Sequence, residues 1–188
     1  MSISKTSKKT LLFKICLTAI FAAIYVLLDM LSLKFGNYLQ ISINALPIII
    51  VAVFFGPGYA MCTGFIGEFL CQILSYGFMF PATFWWTLPA VLRGFSTGII
   101  FIAFKRSDKI LPLSINIICS SILVSALNTF ILIFESKILG YYAITVSTAF
   151  FVTRLTSSLA TAIVMIIIIY PILKALKKTK FLRSKTNE

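Results

Sequence analysis

The stretch LLFKICLTAIFAAIYVLLDMLSL, residues 11–33, decides the fold class. Only Lys14 and Asp29 are charged within it. At about 1.5 Å of rise per residue, a helix of this length crosses the hydrocarbon core of a bilayer. Residues 1–10 are polar and basic, as at the head of a secretory signal. A signal's apolar region, however, runs only about 7–15 residues before a small-residue cleavage site. The stretch reads as a retained transmembrane helix. Its apolar run is continuous rather than alternating, which excludes a strand of a membrane barrel.

The remaining sequence has the same character. Of 188 residues, 60% are apolar and 12% charged, with a mean hydropathy of +1.03. A soluble domain carries roughly 25% charged residues, so these charges are too few to cover a wetted surface. The chain is expected to be a single membrane domain. It has no histidine and five acidic residues, which excludes His-based metal sites, His general bases and Ser-His-Asp triads. Cys16, Cys62, Cys71 and Cys119 lie inside apolar stretches with no CxxC pair. They read as small buried residues, with neither a disulfide nor a metal. No cofactor is implied, and with no visible nucleophile–base pair the chain does not read as an enzyme.

Six apolar segments follow one another, at roughly 11–33, 42–56, 58–75, 87–104, 111–134 and 146–174, with a basic tail at 175–188. The expected fold is an all-α membrane protein of six transmembrane helices. Segments two to four are shorter than the usual ~20 residues, which suits helices that hand over to loops lining a cavity. With the N-terminus inside, 13 of the 17 basic residues fall on the inner face, at the N-terminus, at 105–109 and in the tail. Lys34 and Lys137 fall outside, and Arg93 and Arg154 lie within helices. This asymmetry puts both termini in the cytoplasm. It also accounts for the net charge of +12 without nucleic acid.

Ionisable residues at membrane depth are costly unless paired or wetted. Asp29, Glu68, Arg93 and Arg154 are expected at middle or outer depth, and none in the inner third. That points to a pocket open to the outside. Asn44, Gln72, Asn128, Tyr76, Trp85 and Trp86 are its candidate neighbours. The bland alternative is a pair of structural ion pairs. Arginine suits a carboxylate or phosphate through its planar fork. Trp85 and Trp86 suit either stacking on a flat ring or anchoring at the interface. On the first segment, Thr18, Ala19, Ala22 and Ala23 form a small-residue patch, suited to close helix approach either within the bundle or against a partner.

Several motifs together resemble a known family. These are Ile43-Asn44-Ala45-Leu46-Pro47-Ile48-Ile49, then Phe55-Gly56-Pro57-Gly58-Tyr59-Ala60, then Gly64-x-x-Gly67-Glu68. Phe80-Pro81 and Leu88-Pro89-Ala90-Val91-Leu92-Arg93-Gly94 complete the pattern. The order and spacing resemble the substrate-binding S components of energy-coupling factor (ECF) vitamin transporters, and most closely the folate-family group, over roughly residues 40–104. Two features depart from that group: Pro81-Ala82-Thr83-Phe84 replaces Pro-Gly-Phe-Thr, and Glu68 stands where Asp is more usual.

The resemblance implies a subunit of the bacterial cell membrane that captures a vitamin from outside. It would then dock on a transmembrane T component bearing two ATPases. Loops 34–43, 76–87 and 135–145 would form the lid, and Ala19, Ala22 and Ala23 the docking face. A small planar or anionic ligand, folate-like or a related heterocycle, would meet Arg93, Arg154, Trp85, Trp86, Tyr76, Asn44, Glu68, Gln72 and Asn128.

Overall fold

The computed structural model describes residues 5–31, 33–35, 39–41, 43–76, 83–104, 110–139 and 148–178. Six helices occur among them: α1 (Lys5–Met30), α2 (Ala45–Phe55), α3 (Pro57–Tyr76), α4 (Thr83–Ala103), α5 (Ile110–Leu139) and α6 (Thr148–Lys178). Between α1 and α2, strands β1 (Leu33–Phe35) and β2 (Leu39–Ile41) pair antiparallel, with Leu33 opposite Ile41. The first expected lid loop therefore contains a small hairpin. Four helices are long and apolar enough to cross a membrane by length and composition, namely α1, α4, α5 and α6.

The segment boundaries differ from the sequence reading in consistent ways. α4 begins at Thr83 rather than near 87, so Trp85 and Trp86 stand in its first turns rather than in a loop. Pro89 sits inside that helix. A proline there lacks its own N–H and displaces the carbonyl of residue i−4, a cost this buried position tolerates. α5 continues to Leu139, five residues past the expected end, and takes in Glu135 and Lys137. α6 runs on through Lys178, past the expected end at 174, because lysine propagates a helix well. The tail beyond 178, residues 77–82 of the second expected lid loop and residues 140–145 of the third lie outside the described residues, as do 146–147.

α2 is the inner element. Ile48, Ile49, Val51 and Ala52 are all buried, and Pro47 lies in its first turn, where the N–H has no helical partner anyway. An eleven-residue helix wrapped by its neighbours is hydrophobic on all sides, as a helix without a wet face should be. It ends at Gly56, whose φ of 91° and ψ of 179° belong to a region open essentially to glycine. Pro57 then occupies the first position of α3, the helical site most favourable to proline.

α3 and α4 meet along a line of glycines. A Cβ on Gly64 would lie 2.6 Å from the Ala90 carbonyl oxygen; one on Gly94 would lie 2.6 Å from the Ala60 carbonyl carbon; one on Gly98 would lie 2.6 Å from the Pro57 Cα. With no hydrophobic drive between helices in lipid, such close backbone approach is what packs them. Facing away from the bundle are Leu12, Leu27, Ile122, Ile163 and Ile167, all exposed. Lipid tails are the solvent in which that surface is stable.

Candidate functional site

The polar side chains of α1, α2 and α3 converge at one end of the bundle, the end bearing the hairpin. Tyr25 donates its hydroxyl to Glu68 Oε2 at 2.6 Å. Gln72, one turn along α3, donates to Glu68 Oε1 at 2.8 Å. Asn44 donates to Asp29 Oδ1 at 2.6 Å and reaches the Tyr25 hydroxyl at 3.2 Å. Asn44 stands at the N-cap of α2 yet makes no side-chain capping bond. Asparagine is among the best residues for that task; here its amide serves the cluster instead. Cys71 is buried beside Asp29.

Local packing fixes this geometry. Gly67 would carry a Cβ only 2.7 Å from the Tyr25 ring. Its lack of a side chain lets the ring lie on α3 and aims the hydroxyl at the neighbouring carboxylate. Arg93, on α4, is close enough to Tyr25 and Glu68 to interact with them electrostatically. Among the described residues its guanidinium forms neither an ion pair nor a hydrogen bond, so the acids are held by neutral donors. The alternative of a structural ion pair is therefore not formed by Arg93 among the described residues.

A second group sits at the start of α4 and the end of α5. Trp86 donates its indole N–H to Glu135 Oε2 at 3.0 Å. Trp85 lies against Phe134 with ring centroids 4.3 Å apart, and Phe130 stacks on Phe134 at 6.5 Å. The rings of Phe69 and Phe84, 5.8 Å apart, join this group to α3.

The structure thus brings Asn44, Glu68 and Gln72 into one bonded cluster, with Arg93 beside it. It places Trp85 and Trp86 on the α4–α5 side. Arg154 on α6 and Asn128 on α5 are partly buried, and neither makes one of the bonds above. Tyr76 closes α3, and its side chain is outside the described residues. On α1 the small-residue patch divides: Thr18 and Ala22 are buried, whereas Ala19 and Ala23 are exposed. Ala22 therefore belongs to the internal seam and is withdrawn from the expected docking face.

Sequence reasoning missed Tyr25 and Glu135. Tyr25 lies four residues before Asp29, which sets a phenol and a carboxylate on one helix face; that spacing was a usable signal. Glu135 fell one residue beyond the expected end of its helix. No group of three or more His, Cys, Asp or Glu side chains among the described residues is placed to hold a metal ion.

The model of the family ECF-type riboflavin transporter, S component, matches residues 9–178. It is named for riboflavin, whereas the 40–104 motifs pointed to the folate-family group. Among solved structures, that of ThiT from Listeria monocytogenes is similar at a TM-score of 0.70 and 22% identity, covering 89% of this chain and 96% of that one. That likeness shows the fold. No curated protein matches. The family match spans nearly all of a multi-pass helical membrane protein, so the chain belongs to the ECF-type riboflavin transporter S-component family and is a substrate-binding transporter subunit, working with a T component and ATPases, rather than an enzyme.

Proposed function

We propose that the chain captures a flat heterocyclic vitamin, riboflavin first among them, from the outer side of the bacterial cell membrane. The carrying observation is the cluster of Tyr25, Asp29, Asn44, Glu68 and Gln72, with the unengaged guanidinium of Arg93 beside it, inside an otherwise apolar bundle. The acids and amides bond one another and form a stiff wall. Arg93 keeps its N–H donors for a ligand, and its planar group suits both ring carbonyls and ring faces. The family name supports riboflavin. The positive-inside asymmetry supports an outward-facing site, because Tyr25 and Asp29 of the cluster lie toward the C-terminal end of α1, away from the basic residues at its start. Exposed Ala19 and Ala23 on α1 are proposed as contacts for the T component.

A second ligand reading rests on Arg93 alone. A guanidinium at membrane depth favours an anion, and a folate-like compound carries carboxylates where riboflavin has none. Mass spectrometry of small molecules that co-purify with the chain distinguishes the two. Riboflavin or a related flavin supports the first reading, a pterin carboxylate supports the second, and a preparation that neither retains nor binds any ring compound overturns both.

A further inference from the structure

One turn along α4 from Arg93, the seam between α4 and α5 becomes polar and dry. Ser96, Thr97, Asn116 and Ser120 are 6%, 0%, 1% and 2% exposed. Thr97 donates its hydroxyl to Ser120 Oγ at 3.1 Å, and the Ser96 and Ser120 hydroxyls share a bond of 3.0 Å. Ser96 also reaches the Arg93 carbonyl at 3.3 Å. Asn116 donates its amide to the Thr97 carbonyl at 3.0 Å, while its Oδ1 is buried with no hydrogen-bond partner.

Each hydroxyl has a single proton and two lone pairs. With Thr97 donating to Ser120, Ser120 to Ser96 and Ser96 to the Arg93 carbonyl, every hydroxyl proton is used. The Asn116 amide keeps one N–H beyond the one given to the Thr97 carbonyl, but lone pairs are left over on the hydroxyls and the buried Asn116 Oδ1 receives no proton. Exchanging the oxygen and nitrogen of that amide does not help, since it would turn an oxygen onto the Thr97 carbonyl. Among the described residues Asn116 Oδ1 is short of a donor, inside a bundle whose apolar exterior supplies none. No carboxylate takes part in these bonds, so a cation would be stripped of water without a compensating charge. A neutral molecule that brings two protons meets the need.

We propose that the α4–α5 seam holds a buried water molecule that donates to Asn116 Oδ1 and to a neighbouring Ser or Thr hydroxyl. This site is independent of the ligand reading above. The test is a structure of the full chain in lipid nanodiscs, at a resolution that shows ordered water, for the unaltered protein and for Asn116→Leu. The expected result is a peak about 2.8 Å from Asn116 Oδ1, present in the unaltered protein and absent from Asn116→Leu. Three results would overturn the proposal: a peak ringed by close oxygen ligands on all sides, as around a cation; Asn116 Oδ1 taking its bond from a protein donor with no peak; or a peak unchanged in Asn116→Leu.

Discussion

Glu68 is held by a phenol and an amide rather than by an arginine, and that arrangement depends on the absence of a side chain one residue earlier. An alanine at position 67 would set its Cβ 2.7 Å from the Tyr25 ring. Gly67→Ala is therefore expected to push the ring off α3 and to lower stability by about 1–3 kcal/mol, as overpacking does. Gly58→Ala meets nothing within 4 Å and should stay within about 0.5 kcal/mol. Thermal unfolding of both variants in the same detergent checks the pair, and equal midpoints would contradict the packing argument. Tyr25→Phe removes one donor from a partly buried carboxylate and should cost about 1–3 kcal/mol, read the same way. At this scale Asn44, Glu68, Gln72 and Arg93 were legible in the sequence, because polar groups in apolar runs stand out. Tyr25 was not singled out. A tyrosine is unremarkable in a membrane helix, and its role comes from a glycine on another element 42 positions away.

Helix order and approximate extent followed from the lengths of the apolar runs, and the α2–α3 junction followed from Gly56-Pro57. The start of α4 did not. The expected lid loop ran through residue 87, yet the helix begins at Thr83 and carries Pro89 buried within it. That difference moves Trp85 and Trp86 from a lid to the first turns of a helix, where Glu135 and Phe134 occupy them. The glycine line between α3 and α4 was visible as residues but not as a contact, since which faces meet is decided in three dimensions. It supplies an element-scale prediction. Gly94→Ala and Gly98→Ala each force a Cβ to within 2.6 Å of α3 backbone atoms, and backbone cannot step aside as a flexible side chain can. Each should cost about 1–3 kcal/mol and loosen α3 against α4, measurable as a lower unfolding midpoint and faster hydrogen exchange in both helices. Unchanged exchange would show that the helices do not pack through these positions.

For the whole molecule, an apolar exterior and a polar cluster at one end of the bundle suit a transporter subunit that lives in lipid. Ala19 and Ala23 remain on the outer face of α1, while Thr18 and Ala22 turn inward. A bulky residue outside should leave the bundle intact but obstruct a partner helix. Ala23→Trp is thus expected to abolish vitamin uptake in cells that supply the T component and ATPases, with ligand binding by the purified chain unchanged. Loss of both together would place Ala23 in internal packing. The sequence showed the membrane class and the family type through composition and motif order. It left the ligand unnamed, because recognition depends on which polar groups remain free once the helices have packed, and Arg93 became distinguishable from Arg154 only then.

In the proposed function, substrate is held beside Arg93. Its most direct test is a fluorescence titration of the purified full chain with riboflavin, and with a folate as the competing ligand, for the unaltered protein and for Arg93→Ala. The expected result is saturable binding of one of the two by the unaltered chain, weakened at least about tenfold in Arg93→Ala, or roughly 1.4 kcal/mol, with the unfolding midpoint nearly unchanged. Equal affinity in the two proteins, or no binding of either compound by the unaltered chain, would contradict it.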